Sequence, residues 1–182
     1  MLNNKFSKGV IFSCIAAIFW GLPQPLFFNE LNHVETIEVV AHRGFWSFIF
    51  LFLLLILISN ISDFIEIFKS RKRIFILTIT AFLIAGNWAG FIYSVGQERV
   101  QDASMGYFIT PMISIVLGYF FLNEKITKPK FASVCLMLSG ILFLFINLNQ
   151  FPFLIIWIGT SWAIYGLLRK QVNVNPSIGL LY

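Results

Sequence analysis

Seven side chains able to carry charge, form hydrogen bonds or present an aromatic wall interrupt otherwise apolar stretches: Trp20, His42, Arg43, Asn87, Trp88, Tyr107 and Thr110. Their chemistry is recognition rather than bond-making. Arg43 and His42 suit an anionic or zwitterionic group, Asn87, Tyr107 and Thr110 supply hydrogen bonds to orient it, and Trp20 and Trp88 supply walls. Each also has a structural use. Arg43 can snorkel or pair with Glu38, His42 and Asn87 can bond between helices, and the tryptophans can pack. Motifs for covalent chemistry are missing. The sequence holds no H-E-x-x-H, no G-x-S-x-G and no phosphate-binding glycine loop, and Cys14 and Cys135 lie far apart without partner spacing. No enzyme activity, cofactor or metal is therefore expected.

The elements that position these residues follow from composition. The 182 residues are 58% hydrophobic and only 12% charged, with 22 Phe and a mean hydropathy of +0.84. A water-facing surface needs about 25% charged residues, so the solvent of this chain is lipid. Apolar runs bounded by charge or turn residues predict membrane spans at 9–28, 37–58, 74–95, 103–122, 131–148 and 152–168, with a seventh run beginning at Ser177 and stopping at Tyr182. The first run follows Lys5 and Lys8 but lacks a small-residue cleavage site and continues into Pro23 and Pro25, so it reads as a span rather than a signal peptide. Its prolines, like Pro111, predict a break in the helix. An apolar stub at the end predicts that the chain is part of a longer one.

Charge sets the direction of the spans. Lys5 and Lys8 precede the first; Lys69, Arg71, Lys72 and Arg73 follow the second; Lys125, Lys128 and Lys130 follow the fourth; Arg169 and Lys170 follow the sixth. Of the 13 Lys and Arg residues, only Arg43 and Arg99 fall elsewhere. The positive-inside rule then places the N-terminus in the cytoplasm. At about 1.5 Å of rise per residue, Gln24, Arg43, Thr110 and Asn87 lie roughly 6, 9, 10 and 12 Å below the outer ends of their spans. A shared level on four helices is what a solute cavity requires. No Asp or Glu occupies the middle of a span, which gives no support to proton relay through buried carboxylates.

One internal echo points to architecture. Ala16 to Gly21 and Ile158 to Ala163 both lead small residues into a tryptophan, Trp20 and Trp162. The first lies in the first span and the second in the sixth, so the second copy, beginning after five spans, runs the opposite way, the arrangement of an inverted-repeat transporter.

Several runs carry a resemblance to a known family: Ala41-His42-Arg43-Gly44-Phe45-Trp46-Ser47, Gly86-Asn87-Trp88, Ala103 through Pro111, and Leu117 through Glu124, with Phe19-Trp20-Gly21 and Tyr165 through Lys170 in the same order. The sequence resembles the RarD-type permeases, a bacterial branch of the EamA family in the drug/metabolite transporter superfamily. The resemblance implies an inner-membrane permease of ten spans in two inverted five-helix repeats, with poorly defined natural substrates. It implies Asn before Pro111 in many relatives. Thr110 keeps a hydrogen-bonding group there but changes its reach.

The expectation is an all-α, polytopic membrane helix bundle, with a first five-span repeat over 8–148 and the start of a second over 152–182. It would move a small organic solute by alternating access. The expected partners are a small-molecule solute and the lipid bilayer, with no nucleic acid; a homo-oligomer is compatible with the sequence. The rival reading, a non-transporting membrane scaffold or sensor, predicts that the polar layer is fully paired within the protein.

Overall fold

The structure is a computed structural model that describes residues 4–58, 61–146, 152–172, 174 and 176–181. Among these every regular element is a helix: α1 (Asn4–Gly21), α2 (Pro23–Glu30), α3 (Thr36–Ile58), α4 (Ile61–Phe68), α5 (Arg71–Gly96), α6 (Val100–Leu122), α7 (Lys128–Ile146), α8 (Phe153–Gln171) and α9 (Pro176–Leu181). Five segments are long and apolar enough to cross a membrane: Ser7–Glu30, Thr36–Leu57, Arg71–Gly96, Val100–Leu122 and Lys128–Ile146. They correspond to the first five expected spans. Residues 147–148 of the fifth, the connection 149–151 and Tyr182 lie outside the described residues.

The expected sixth span corresponds to α8, which is not among the five. Its 19 residues include Thr160 and Ser161 and end in Arg169, Lys170 and Gln171, so its apolar stretch is shorter and more diluted than the others. Contact with protein replaces contact with lipid: Ile155, Ile158, Gly159, Ser161 and Ala163 are buried. The helix packs most extensively on α6 and then on α5. Gly106 meets Ile158 near one end of the α6–α8 seam, and Glu124 meets Lys170 at the other. The contacts advance together along both helices, so α6 and α8 run parallel.

Breaks fall where backbone chemistry demands them. The first span divides into α1 and α2 at Leu22, with Pro23 opening α2, because proline donates no backbone hydrogen bond to the preceding turn. Pro111 instead lies inside an uninterrupted α6. That helix ends at Asn123 in the left-handed conformation (φ 53°), where the Glu124 amide returns to the Gly118 carbonyl at 3.1 Å, a turn that asparagine tolerates well. Ser70 caps α5 by accepting from the Arg73 amide.

Helix α4 occupies what the sequence presented as a connection. Ile67 is buried with Leu55, Leu77 and Ile178, and Phe64 packs against them, while Ile65 and Phe68 are exposed. A short amphipathic helix therefore lies against the end of the bundle, held by α3, α5 and α9. By contrast, α1 buries none of its spanning window, and Phe12 and Ile15 are exposed, as side chains facing acyl tails would be.

Candidate functional site

Aromatic rings connect the helices at the level of the seven candidate residues. Trp20 of α1 meets Trp162 of α8 edge to face, with ring centroids 5.8 Å apart. Trp162 meets Tyr107 of α6 at 6.1 Å, Tyr107 meets Phe91 of α5 at 6.0 Å, and Phe91 meets Phe28 of α2 at 6.0 Å. The Arg43 guanidinium of α3 completes the series, 5.6 Å from the Phe28 ring centroid and 4.0 Å from that of Trp88. Edge-to-face geometry is favourable for rings at these separations, and a guanidinium over an indole face adds cation–π attraction. The two echoed tryptophans thus touch one another across the bundle.

A cavity of about 980 Å³ opens between α1, α2 and α3, lined among others by Trp20, Gln24, Phe28, His42, Arg43 and Ser47. Among the described residues, Arg43 and Glu38 are the arginine and the carboxylate in its wall. Glu38, the acid expected as the arginine's partner, lies instead 4.0 Å from His42 one turn along the same helix, and both of those side chains are exposed. Among the described residues no carboxylate lies within ion-pairing distance of Arg43. Beside it the Trp88 indole N–H is buried without a hydrogen-bond acceptor. Arg43 is thus a donor at the cavity wall, held there by ring contacts with no ion pair among the described residues, while the Trp88 indole is packed behind it.

Asn87 sits differently. It is 0% exposed, and its amide nitrogen donates to the Ile158 carbonyl at 2.8 Å and the Ser161 hydroxyl at 3.0 Å. Its amide oxygen accepts from the Tyr107 hydroxyl at 2.8 Å. The residue ties α5 to α6 and α8 and fixes the Tyr107 ring. It lines neither the large cavity nor a second, smaller one of about 400 Å³ that Trp20, Tyr107 and Trp162 share. Thr110 also turns into the α6–α8 seam, donating to the Gly106 carbonyl at 3.2 Å and reaching the Gly159 carbonyl at 3.4 Å. The structure therefore brings Trp20, His42 and Arg43 to the large cavity, with Trp88 behind Arg43. It places Asn87 and Thr110 in helix contacts and Tyr107 between the two groups.

Glycine makes those contacts close enough to work. A Cβ on Gly86 would stand 2.8 Å from the Trp157 ring, and one on Gly106 would stand 2.7 Å from Ile158 Cβ. Trp157 fills the small-residue face of Gly86 and Gly90 and donates its indole N–H to the Gly86 carbonyl at 2.9 Å. Phe28, Phe91 and Trp157 were not among the seven candidates because, in an apolar span, nothing separates a ring at a site from a ring in lipid. Trp162 carried a signal, its echo of Trp20.

Comparison with known proteins agrees with this architecture. The model of the EamA-like transporter family matches residues 7–146. Protein RarD of Escherichia coli (strain K12) is 33% identical over 174 residues, 96% of this chain and 58% of that protein. An uncharacterized transporter of Vibrio cholerae is 33% identical over 173 residues, 95% of this chain and 57% of its own length. The uncharacterized transporter YojE of Bacillus subtilis (strain 168) is 30% identical over 183 residues, 99% of this chain and 61% of its own. The chain spans about three fifths of the length of these curated relatives. No solved structure matches it.

Proposed function

The chain belongs to the EamA-like transporter family and is a multi-pass membrane protein, and from that premise we propose that it moves a small organic solute across the inner membrane by alternating access. The observation that carries this reading is Arg43: a guanidinium at the wall of a 980 Å³ cavity, held by two aromatic faces and no carboxylate. A half-buried charge within a membrane span that has no ion-pair partner is expensive and is characteristically retained for a ligand. An anionic or zwitterionic group would accept from Arg43, with Gln24 and His42 at hand, while Trp20 and Phe28 cover its apolar part.

The N-terminus lies in the cytoplasm in this account, because nearly all cations outside the spans fall in alternate connections. The share of the relatives' length that the chain covers supports reading it as one five-span repeat with the beginning of a second, so the opposite wall of the cavity comes from the second repeat. The hinge at Leu22 and Pro23 lets α1 tilt against α2 and open the cavity. The scaffold reading fits the Asn87–Tyr107–Ser161 cluster, which is internally paired, but it leaves Arg43 without a use.

The test is transport in proteoliposomes by the protein expressed from its complete gene, screened against small organic anions and zwitterions. Arg43→Ala should reduce uptake of the accepted solute at least tenfold. Unchanged uptake of every accepted solute would remove Arg43 from the pathway.

A further inference from the structure

The second cavity, of about 400 Å³, is chemically unlike the first. Trp20 and Gly21 of α1, Phe91 of α5, Ser104 and Tyr107 of α6 and Trp162 of α8 lie in its wall, and among the described residues no acidic or basic one does. Its aromatic members are set at steep angles. Trp162 meets both Trp20 and Tyr107 at 86°, and Tyr107 meets Phe91 at 55°. Two rings that meet edge to face form a corner between their faces, and four aromatic side chains in one wall offer such corners to a cation.

The hydroxyls in the wall are already committed. Ser104 donates to the Val100 carbonyl at 3.0 Å and Tyr107 donates to Asn87 at 2.8 Å. An anion would find neither a positive charge nor a free hydroxyl proton there. A primary ammonium would bring three N–H donors to a wall with few acceptors, at an uncompensated desolvation cost. A quaternary ammonium has no N–H to satisfy and spreads its charge over methyl groups that fit against ring faces. Donation by the Tyr107 hydroxyl also makes that ring richer in electrons.

We propose that this cavity is an aromatic cage for the quaternary ammonium head of a small soluble solute. Trp20 lines both cavities, so the cage and the Arg43 wall adjoin. Resting on the proposed solute pathway at Arg43, this assigns the solute to the betaine class: a trimethylammonium in the cage and an anionic group at the guanidinium.

Binding of radiolabelled choline to the purified protein in maltoside detergent, by equilibrium dialysis, tests the cage without requiring transport. Choline should bind about tenfold or more tightly than its neutral isostere 3,3-dimethylbutan-1-ol, because only the cation gains from the ring faces. Gly21→Leu should weaken choline binding at least tenfold without lowering thermal stability, since a Cβ at Gly21 meets no atom within 4 Å and the larger side chain enters free space. Trp162→Leu should weaken choline binding to a similar extent, and Trp162→Phe should restore part of the binding. Equal affinity for choline and the isostere, or Gly21→Leu and Trp162→Leu that both bind choline normally, would overturn the proposal. Displacement of choline by short-chain phosphatidylcholine but not by glycerophosphocholine would transfer the cage to a lipid headgroup and overturn its assignment to a soluble solute. Choline binding that passes these tests in a protein that transports nothing would uphold the cage and refute the pathway.

Discussion

Replacing Asn87 with leucine keeps the side chain's approximate size and removes three hydrogen bonds, to the Ile158 carbonyl, the Ser161 hydroxyl and the Tyr107 hydroxyl. Polar contacts between membrane helices average about 0.6 kcal/mol each, so the simple sum is roughly 2 kcal/mol. The structure shows how that loss divides. Ser161 keeps its bond to the Trp157 carbonyl at 2.6 Å, and the Ile158 carbonyl keeps a contact from Ser161 at 3.3 Å. The Tyr107 hydroxyl alone loses its acceptor, and an orphaned buried donor costs about 1–3 kcal/mol. Asn87→Leu should therefore lower the melting temperature in detergent by about 4–8 °C, at roughly 2–4 °C per kcal/mol for a chain of this size. Tyr107→Phe on the Asn87→Leu background should return about half of that loss, although Tyr107→Phe alone is destabilising. Such a reversal of sign in a double-mutant cycle is specific to a shared bond. Strict additivity of the two substitutions, or a neutral Asn87→Leu, would refute the placement of Asn87 as the tie between α5, α6 and α8.

Further outcomes follow from the same geometry. Gly106→Ala should cost about 1–3 kcal/mol of stability by pushing α8 off α6, whereas Gly118→Ala should be nearly neutral because its new Cβ meets only the end of the Glu124 side chain at 3.1 Å; thermal melts of the two variants compare them directly. Gly140→Ala, where a Cβ has open space, should stabilise α7 by about 0.5–1 kcal/mol through helix propensity. Arg43→Lys should retain charge yet lose uptake, because a lysine cannot stack its head on Trp88 as a planar guanidinium does; uptake equal to that of the unsubstituted protein would contradict the stacking role. Reporter fusions after Lys125 should be active only as cytoplasmic reporters, and periplasmic activity there would invert the assigned topology.

The spans were legible because lipid imposes a simple rule on composition: a helix facing acyl tails must be apolar along its whole length. That rule placed α3, α5, α6 and α7 closely, while proline chemistry marked the break at Pro23 and also marked Pro111, where α6 runs on unbroken. It served α8 less well, since a helix wrapped by protein can carry Thr160, Ser161 and a basic end. It missed α4, whose eight residues are too few to span. At the site, sequence could mark polar residues within lipid but could not say which were spent on neighbours. Asn87 and Arg43 looked alike as buried polar groups. Only the positions of Ile158, Ser161 and Tyr107, more than 60 residues away for the first two, distinguish a paired amide from an unpaired guanidinium. The adjacency of the two echoed tryptophans likewise depends on how α1 and α8 pack, which no local pattern encodes.

The most direct measurement is solvent access to the Arg43 cavity. Cys14 and Cys135 are both exposed and can be replaced by serine, after which Ser47→Cys places a single thiol in the cavity wall. Membrane vesicles of either orientation are then treated with a membrane-impermeant thiol reagent, with and without the transported solute. Labelling from both sides, slowed by solute, is the predicted result. A thiol that resists the reagent from both sides, or one labelled from a single side at a rate the solute leaves untouched, would contradict a solute pathway at Arg43.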